Sequence, residues 1–216
     1  MRGFVNDAQH YIEAGGTGTP PTFKSMGDAT HDLFGRVMND LSQEIYPVMA
    51  RMNAELNSLG EKDVYETSVL TNTASLGTEA RKRIEGQRII EKYRHDLPSA
   101  FEAFRQKLAS YNVPDAQKKN AVAAFEDARS YFSRNSEIMF NLLGKKERTE
   151  LDFLHFMNGI FNEYELKDGK ISFHNAMARQ TYQGLTKSID DTAKEIAAFR
   201  KERLDGVNAN IQKLSR

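Results

Sequence analysis

The chain has 216 residues, 39% of them apolar and 28% charged, with 30 Lys and Arg against 30 Asp and Glu. That is the makeup of a folded helical domain and too apolar for a disordered one, while zero net charge supplies no global field for gathering nucleic acid or an anionic membrane. No cysteine is present, which excludes disulfides, thiolate nucleophiles, zinc–cysteine sites and iron–sulfur clusters and fits an exported protein.

Residues 4–12 (Phe4, Val5, Ala8, Tyr11, Ile12) form a short amphipathic stretch. Gly15-Gly16-Thr17-Gly18-Thr19-Pro20-Pro21 then breaks regular structure, because glycine freedom and proline restriction meet there. No Gly-Lys-Ser/Thr follows, so this is a loop and not a phosphate cradle. The division is therefore 1–21, a short helix and loop, and 22–216, one helical domain.

The first long helix starts near Asp28 as its cap and carries Leu33, Val37, Leu41, Ile45, Val48, Met52, Leu56 and Leu59 at spacings of three and four. Pro47 should kink it near Gln43–Tyr46 or divide it in two, and Gly60 stops it. Residues 61–95 are helical by propensity but thin in large apolar residues, and Gly77 and Gly86 suit either close helix packing or a locally frayed or curved helix. Past Asp96-Leu97-Pro98 the pattern sharpens through Phe101, Phe104, Leu108 and Tyr111, and Asn112-Val113-Pro114-Asp115 turns into a new helix. Val122, Phe125, Ala128, Phe132, Met139 and Leu142 follow. Gly144 breaks that run before Leu151, Leu154, Phe161 and Tyr164.

Residues 165–173 can form a hairpin. A last helix from about Asn175 to Lys213 then carries Met177, Leu185, Ile189, Ala193, Ile196, Leu204, Val207, Ile211 and Leu214. At 1.5 Å per residue it is roughly 60 Å long. The expected fold is all-α: an elongated antiparallel bundle of four to five long helices with a short hairpin near 165–173.

Several constellations carry potential chemistry. Asp168-Gly169-Lys170-Ile171 has the glycine and aliphatic places of a calcium loop. The first, third and twelfth ligand places, however, hold Tyr164, Leu166 and Asn175, so the segment reads as a turn. Asp28…His31 and Asp152…His155 have the spacing of paired metal ligands in helical bundles, with aspartate as a short arm. Asp28 serves better as a cap, and His155 sits among Phe153, Leu154 and Phe156 as a core-edge histidine. Glu91…His95 has the spacing of a surface ion pair. Arg81, Lys82, Arg83, Arg88, Lys92 and Arg94 interleave with Glu79, Glu85 and Glu91, which reads as a solvated face. No catalytic, cofactor-binding or metal-binding residue is assigned. The interruptions at Pro47, 71–78 and Asp168-Gly169 are the places to look for a site.

Asp168-Gly169-Lys170-Ile171-Ser172-Phe173 with Tyr182-Gln183-Gly184-Leu185 resembles a family of uncharacterised helical lipoproteins of the Gram-negative bacterial envelope. Phe4-Val5-Asn6-Asp7 before the Gly/Pro-rich gap is similar to that family's mature N-terminus. The family's lipid-accepting cysteine has no counterpart here. The resemblance implies a helical fold and an envelope location, not an activity.

The expected function is non-enzymatic: an envelope or periplasmic protein, with the cytoplasm as the alternative, that binds or scaffolds a protein partner or self-associates through a long helical face. No cofactor and no nucleic acid are expected, and membrane contact would require an anchor outside this chain. The alternatives are an extracytoplasmic sensor-type bundle holding a small ligand and a membrane-associated dimeric bundle.

Overall fold

The computed structural model describes the backbone of residues 29–214 with Asp7, His10, Tyr11 and Thr22, and side chains for most of 33–202. Asp7, His10 and Tyr11 are helical. The rest of the 4–12 stretch, the 15–21 loop, the Asp28 cap and the His31 side chain lie outside the described residues. Helices α1 (Ala29–Glu44), α2 (Tyr46–Ser58), α3 (Thr67–Leu70), α4 (Thr73–Ala109), α5 (Asp115–Gly159) and α6 (Ala176–Leu214) make the chain mostly helical. One antiparallel hairpin, β1 (Tyr164–Lys167) and β2 (Lys170–Phe173), precedes α6. No described helix is long and apolar enough to cross a membrane.

Local sequence explains most boundaries. Pro47 divides the first run: α1 ends at Glu44, Ile45 forms a turn, and Pro47 sits in the first turn of α2, where its missing N–H leaves no bond unmade. Gly60, at φ +56°, ends α2 in the left-handed region that glycine tolerates. Asn72 caps α4 by accepting from the Ser75 N–H at 2.7 Å, and Asn175 caps α6 by accepting from the Ala178 N–H at 2.9 Å. Asp168 and Gly169, at φ +51° and +72°, form the two-residue turn that matches strand twist. Tyr164 and Leu166 are thereby committed to strand pairing.

Three expectations need correction. Residues 61–66 are not helical, and α3 and α4 start only at Thr67 and Thr73. Side chains of α4 engage the backbone of Gly60 and Lys62, and Asp63 accepts from the Tyr65 and Glu66 N–H groups in a turn. Gly144 does not break its helix, for α5 runs through it. One mid-helix glycine costs only about 1 kcal/mol against alanine, which good helix formers on both sides outweigh. Met177 is 76% exposed and Ala193 is exposed. The inward face of α6 is instead Ala178, Tyr182, Leu185, Ile189, Thr192 and Ile196, each buried or half-buried. Buried Thr192 donates its hydroxyl to the Ser188 carbonyl at 2.8 Å.

The chain divides into two compact units, 1–58 with 91–138 and 208–216, and 59–90 with 139–207. The first has an apolar seam of Val48, Met52, Tyr93, Leu97, Phe101, Phe104 and Leu108, all buried, with Phe125 edge-on to Phe104 at 4.7 Å. The second has a core of Val69, Leu70, Leu76, Phe153, Leu154 and Met157, against which the hairpin packs. Rings run in sequence through it: Tyr65 to Phe153, Tyr182, Phe173, Tyr164 and Phe161, at centroid separations of 5.0–6.2 Å. The Tyr164 hydroxyl donates to the Leu70 carbonyl at 2.7 Å, which ties the hairpin to the end of α3.

Candidate functional site

The buried stripe of α4 in the second unit reads Leu76, Glu79, Ala80, Arg83, Gly86, Ile89 and Ile90. Glu79 and Arg83 therefore occupy core positions, not the solvated face expected of residues 79–95. Arg83 is 2% exposed. The buried stripe of α5 likewise carries Glu147 (3% exposed) and Glu150 (9% exposed). Buried charges of this kind persist only where they are paired and hydrogen-bonded.

Here they close on residues 60–62. Arg83 donates from Nε to Glu150 at 2.5 Å and from Nη2 to the Lys62 carbonyl at 2.7 Å. Its Nη1 lies 3.3 Å from Glu61 and 3.5 Å from Glu79. The Lys62 N–H donates to Glu79 at 3.0 Å, and Lys82 donates to the Gly60 carbonyl at 2.6 Å and to Glu79 at 2.8 Å. From α5, Lys146 reaches Glu61 at 3.2 Å, Glu147 at 3.1 Å and Glu150 at 3.4 Å. In a segment with no helix or strand of its own, the Gly60 and Lys62 carbonyls and the Lys62 N–H are thus satisfied by side chains.

Gly86 permits the closest approach. A Cβ there would meet Glu147 Oε2 at 2.9 Å and Glu61 Oε1 at 3.3 Å. The small-residue argument holds at Gly86 and not at Gly77, whose Cβ would meet nothing within 4 Å.

Electrostatics differ sharply within the cluster. Burial pushes the Glu147 carboxyl up to about 7; Lys146 opposes the rise and the Glu61 charge reinforces it. Burial also works against the Glu79 charge. The hydrogen bonds from Lys82 and the Lys62 N–H outweigh it and hold that carboxyl below its ordinary value. Burial raises the Lys146 environment's penalty for charge, yet Glu147, Glu150 and Glu61 together hold its ammonium above the usual range.

A cavity of about 310 Å³ in the same unit is lined by Lys62, Ser68, Val69, Ala74, Ser75, Thr78, Glu79 and Lys82. Ala74, Ser75 and Thr78 of the 71–78 stretch therefore do line a concavity. Glu147, the acid with the raised pKa, is not part of its wall.

The other candidates fall apart as chemistry. Asp152 and His155 are both exposed, so His155 is not a core-edge histidine. Glu91 pairs with Arg94 at 3.2 Å. Among the described residues no group of His, Asp and Glu is arranged to hold a metal ion. Sequence reasoning missed the Glu61–Glu79–Arg83–Glu147–Glu150 cluster. The signal was available: Arg83 and Glu79 fall in register with Leu76, Ile90 and Leu97, where an apolar residue belongs.

No family model, curated protein or solved structure matches the chain.

Proposed function

We propose that this is a non-enzymatic helical protein of the bacterial envelope that binds or scaffolds a protein partner through its long helices. The antiparallel bundle of four to five long helices expected from the repeat belongs to this reading. The observation that carries it is the use made of the charge cluster. All three nitrogens of the Arg83 guanidinium and the Lys146 ammonium are committed to carboxylates and to the 60–62 backbone. The acid with the raised pKa faces Glu61 and Gly86, not the cavity. A reacting acid or base must reach its substrate; this one holds the chain. The resemblance of the 168–173 and 182–185 segments supports the envelope location.

Photo-crosslinking in the native cell tests the reading. A photoreactive residue at exposed Gln183 or Lys187 of α6 should give a discrete protein adduct, and the chain should fractionate with the envelope. Failure to cross-link at any exposed position along α4, α5 and α6 would overturn partner binding, and a cytosolic fraction would overturn the location.

A second reading, an extracytoplasmic small-ligand sensor, is favoured by the cavity. Its volume falls at the lower end of small-molecule sites, and Lys62, Lys82 and the hydroxyls of Ser68, Ser75 and Thr78 suit a small anion. Titration calorimetry with inorganic phosphate and acetate separates the readings: heat lost in Lys82→Ala supports the sensor, and no heat removes it.

A further inference from the structure

The charge cluster does not balance when every group is ionised. Glu61, Glu79, Glu147 and Glu150 face Arg83, Lys82 and Lys146, four carboxylates against three cations. The excess sits at one place. Glu61 Oε1 and Glu147 Oε2 are fully buried and meet no donor while both carboxyls are charged. Both oxygens crowd the Cβ position that Gly86 leaves empty, at 3.3 and 2.9 Å. Two buried carboxylate oxygens so placed repel each other, and a proton between them converts the contact into a hydrogen bond.

We propose that Glu61 and Glu147 share one proton in the folded protein, and that losing it releases residues 60–62 from α4 and α5. The device is a proton-operated latch. Glu61 is the only latch carboxyl carried by the segment itself, and its charge is otherwise countered by Arg83 of α4 at 3.3 Å and Lys146 of α5 at 3.2 Å. Arg83 Nε stands 4.0 Å from Glu147 Oε2. Glu79 and Lys82 of α4 and Glu150 of α5 complete the surroundings, and Asp190 of α6 acts on half-buried Tyr65. With the proton gone, the excess negative charge falls on the one carboxyl of the cluster that is carried outside a helix.

Glu147 has a folded-state pKa of about 7 against an ordinary 4.5. The folded, latched state therefore binds more protons than the open one between these values. Latching is fully present below pH 4.5 and is lost as pH rises through about 7. Glu79 has the opposite sign: its pKa is lowered, so its contribution is present above 4.5 and is lost as pH falls further. The two effects occupy separate windows.

The Lys62 amide, bonded to Glu79 at 3.0 Å, reports the latch. Carbon-detected NMR of glutamate carboxyls should show one group titrating near 7. Corrected for intrinsic exchange, opening at the Lys62 amide should rise by about tenfold per pH unit between 4.5 and 7 and then level off. Glu147→Gln, a neutral stand-in for the protonated acid, should flatten that rise, and Glu61→Gln should drop the Glu147 titration toward ordinary values. If no glutamate titrates above pH 5.5 in the wild-type chain, the shared proton does not exist. If one does while Lys62 exchange keeps the same opening at pH 5 and pH 8, or if Glu147→Gln retains the slope, the latch is overturned. The wild-type measurements decide the matter even where a variant does not fold.

Discussion

In the first unit α4 buries Tyr93, Leu97, Phe101, Phe104 and Leu108; in the second the same helix buries Leu76, Glu79, Ala80, Arg83, Ile89 and Ile90. The first stretch packs as an oily seam with charges at its rim. Arg105 pairs with Glu126 at 3.4 Å with both side chains about half exposed, and Lys107 bridges Asp40 and Glu44 in a partly covered setting. The second stretch places the ion pairs inside. Arg83 and Glu79 are 2% and 4% exposed along their side chains. One helix therefore shows both regimes: pairs that water already screens, and pairs whose loss leaves a bare charge in a poor solvent.

Removing one charge from each regime tests the contrast most strongly. Arg83→Ala leaves the surrounding glutamates uncompensated and should cost about 3–5 kcal/mol in urea unfolding. Arg105→Ala should cost below about 1 kcal/mol and lose even that in high salt. Equal losses at the two positions would mean that the cluster is wetter than its burial implies.

A smaller effect is expected at Tyr164, whose hydroxyl is bonded to the Leu70 carbonyl in the second core. Tyr164→Phe strands a buried acceptor and should cost about 1–3 kcal/mol, read as a lower urea midpoint with an unchanged slope. The glycines of α4 sharpen the comparison further. Gly86→Ala drives a methyl against Glu147 Oε2, and because that carboxyl is pinned by Lys146 and Glu61 it cannot step aside freely. A loss of about 1–3 kcal/mol is expected. Gly77→Ala meets nothing within 4 Å and should stabilise by about 0.4–1 kcal/mol through the unfolded chain. Thermal melts of the pair should move in opposite directions, and a shared direction would place the oxygens of Glu147 elsewhere.

The helical content, the division at Pro47 and the Asp168-Gly169 hairpin were legible because each depends on local chemistry: good helix formers, a missing N–H, a backbone that needs positive φ. The failures were of two kinds. At Gly144 a local signal was outvoted by its neighbours. At Arg83 and Glu79 the local signal, a charge in an interleaved run, pointed to the surface, while the register with Leu76 and Ile90 pointed inward. Periodicity carried the better information there, and residue type obscured it. Residues 61–66 escaped for a third reason. Residues 60–62 are held by side chains of α4 and α5, distant in sequence, while the turn that follows is local, with Asp63 accepting from the Tyr65 and Glu66 N–H groups.

The clasp on residues 60–62 also orders assembly in time. Helical hydrogen bonds close loops of four residues, whereas Arg83–Glu150 and Lys146–Glu61 join residues 67 and 85 apart. The entropy of closing such loops grows with their length, and contacts this distant form slowly compared with helix growth. Helices α4 and α5 therefore precede the clasp, and the 59–66 segment docks onto a surface already built. Residues 60–62, joined last and held there by hydrogen bonds with side chains, sit at the low end of local stability, so they are also the first that the native protein lets go.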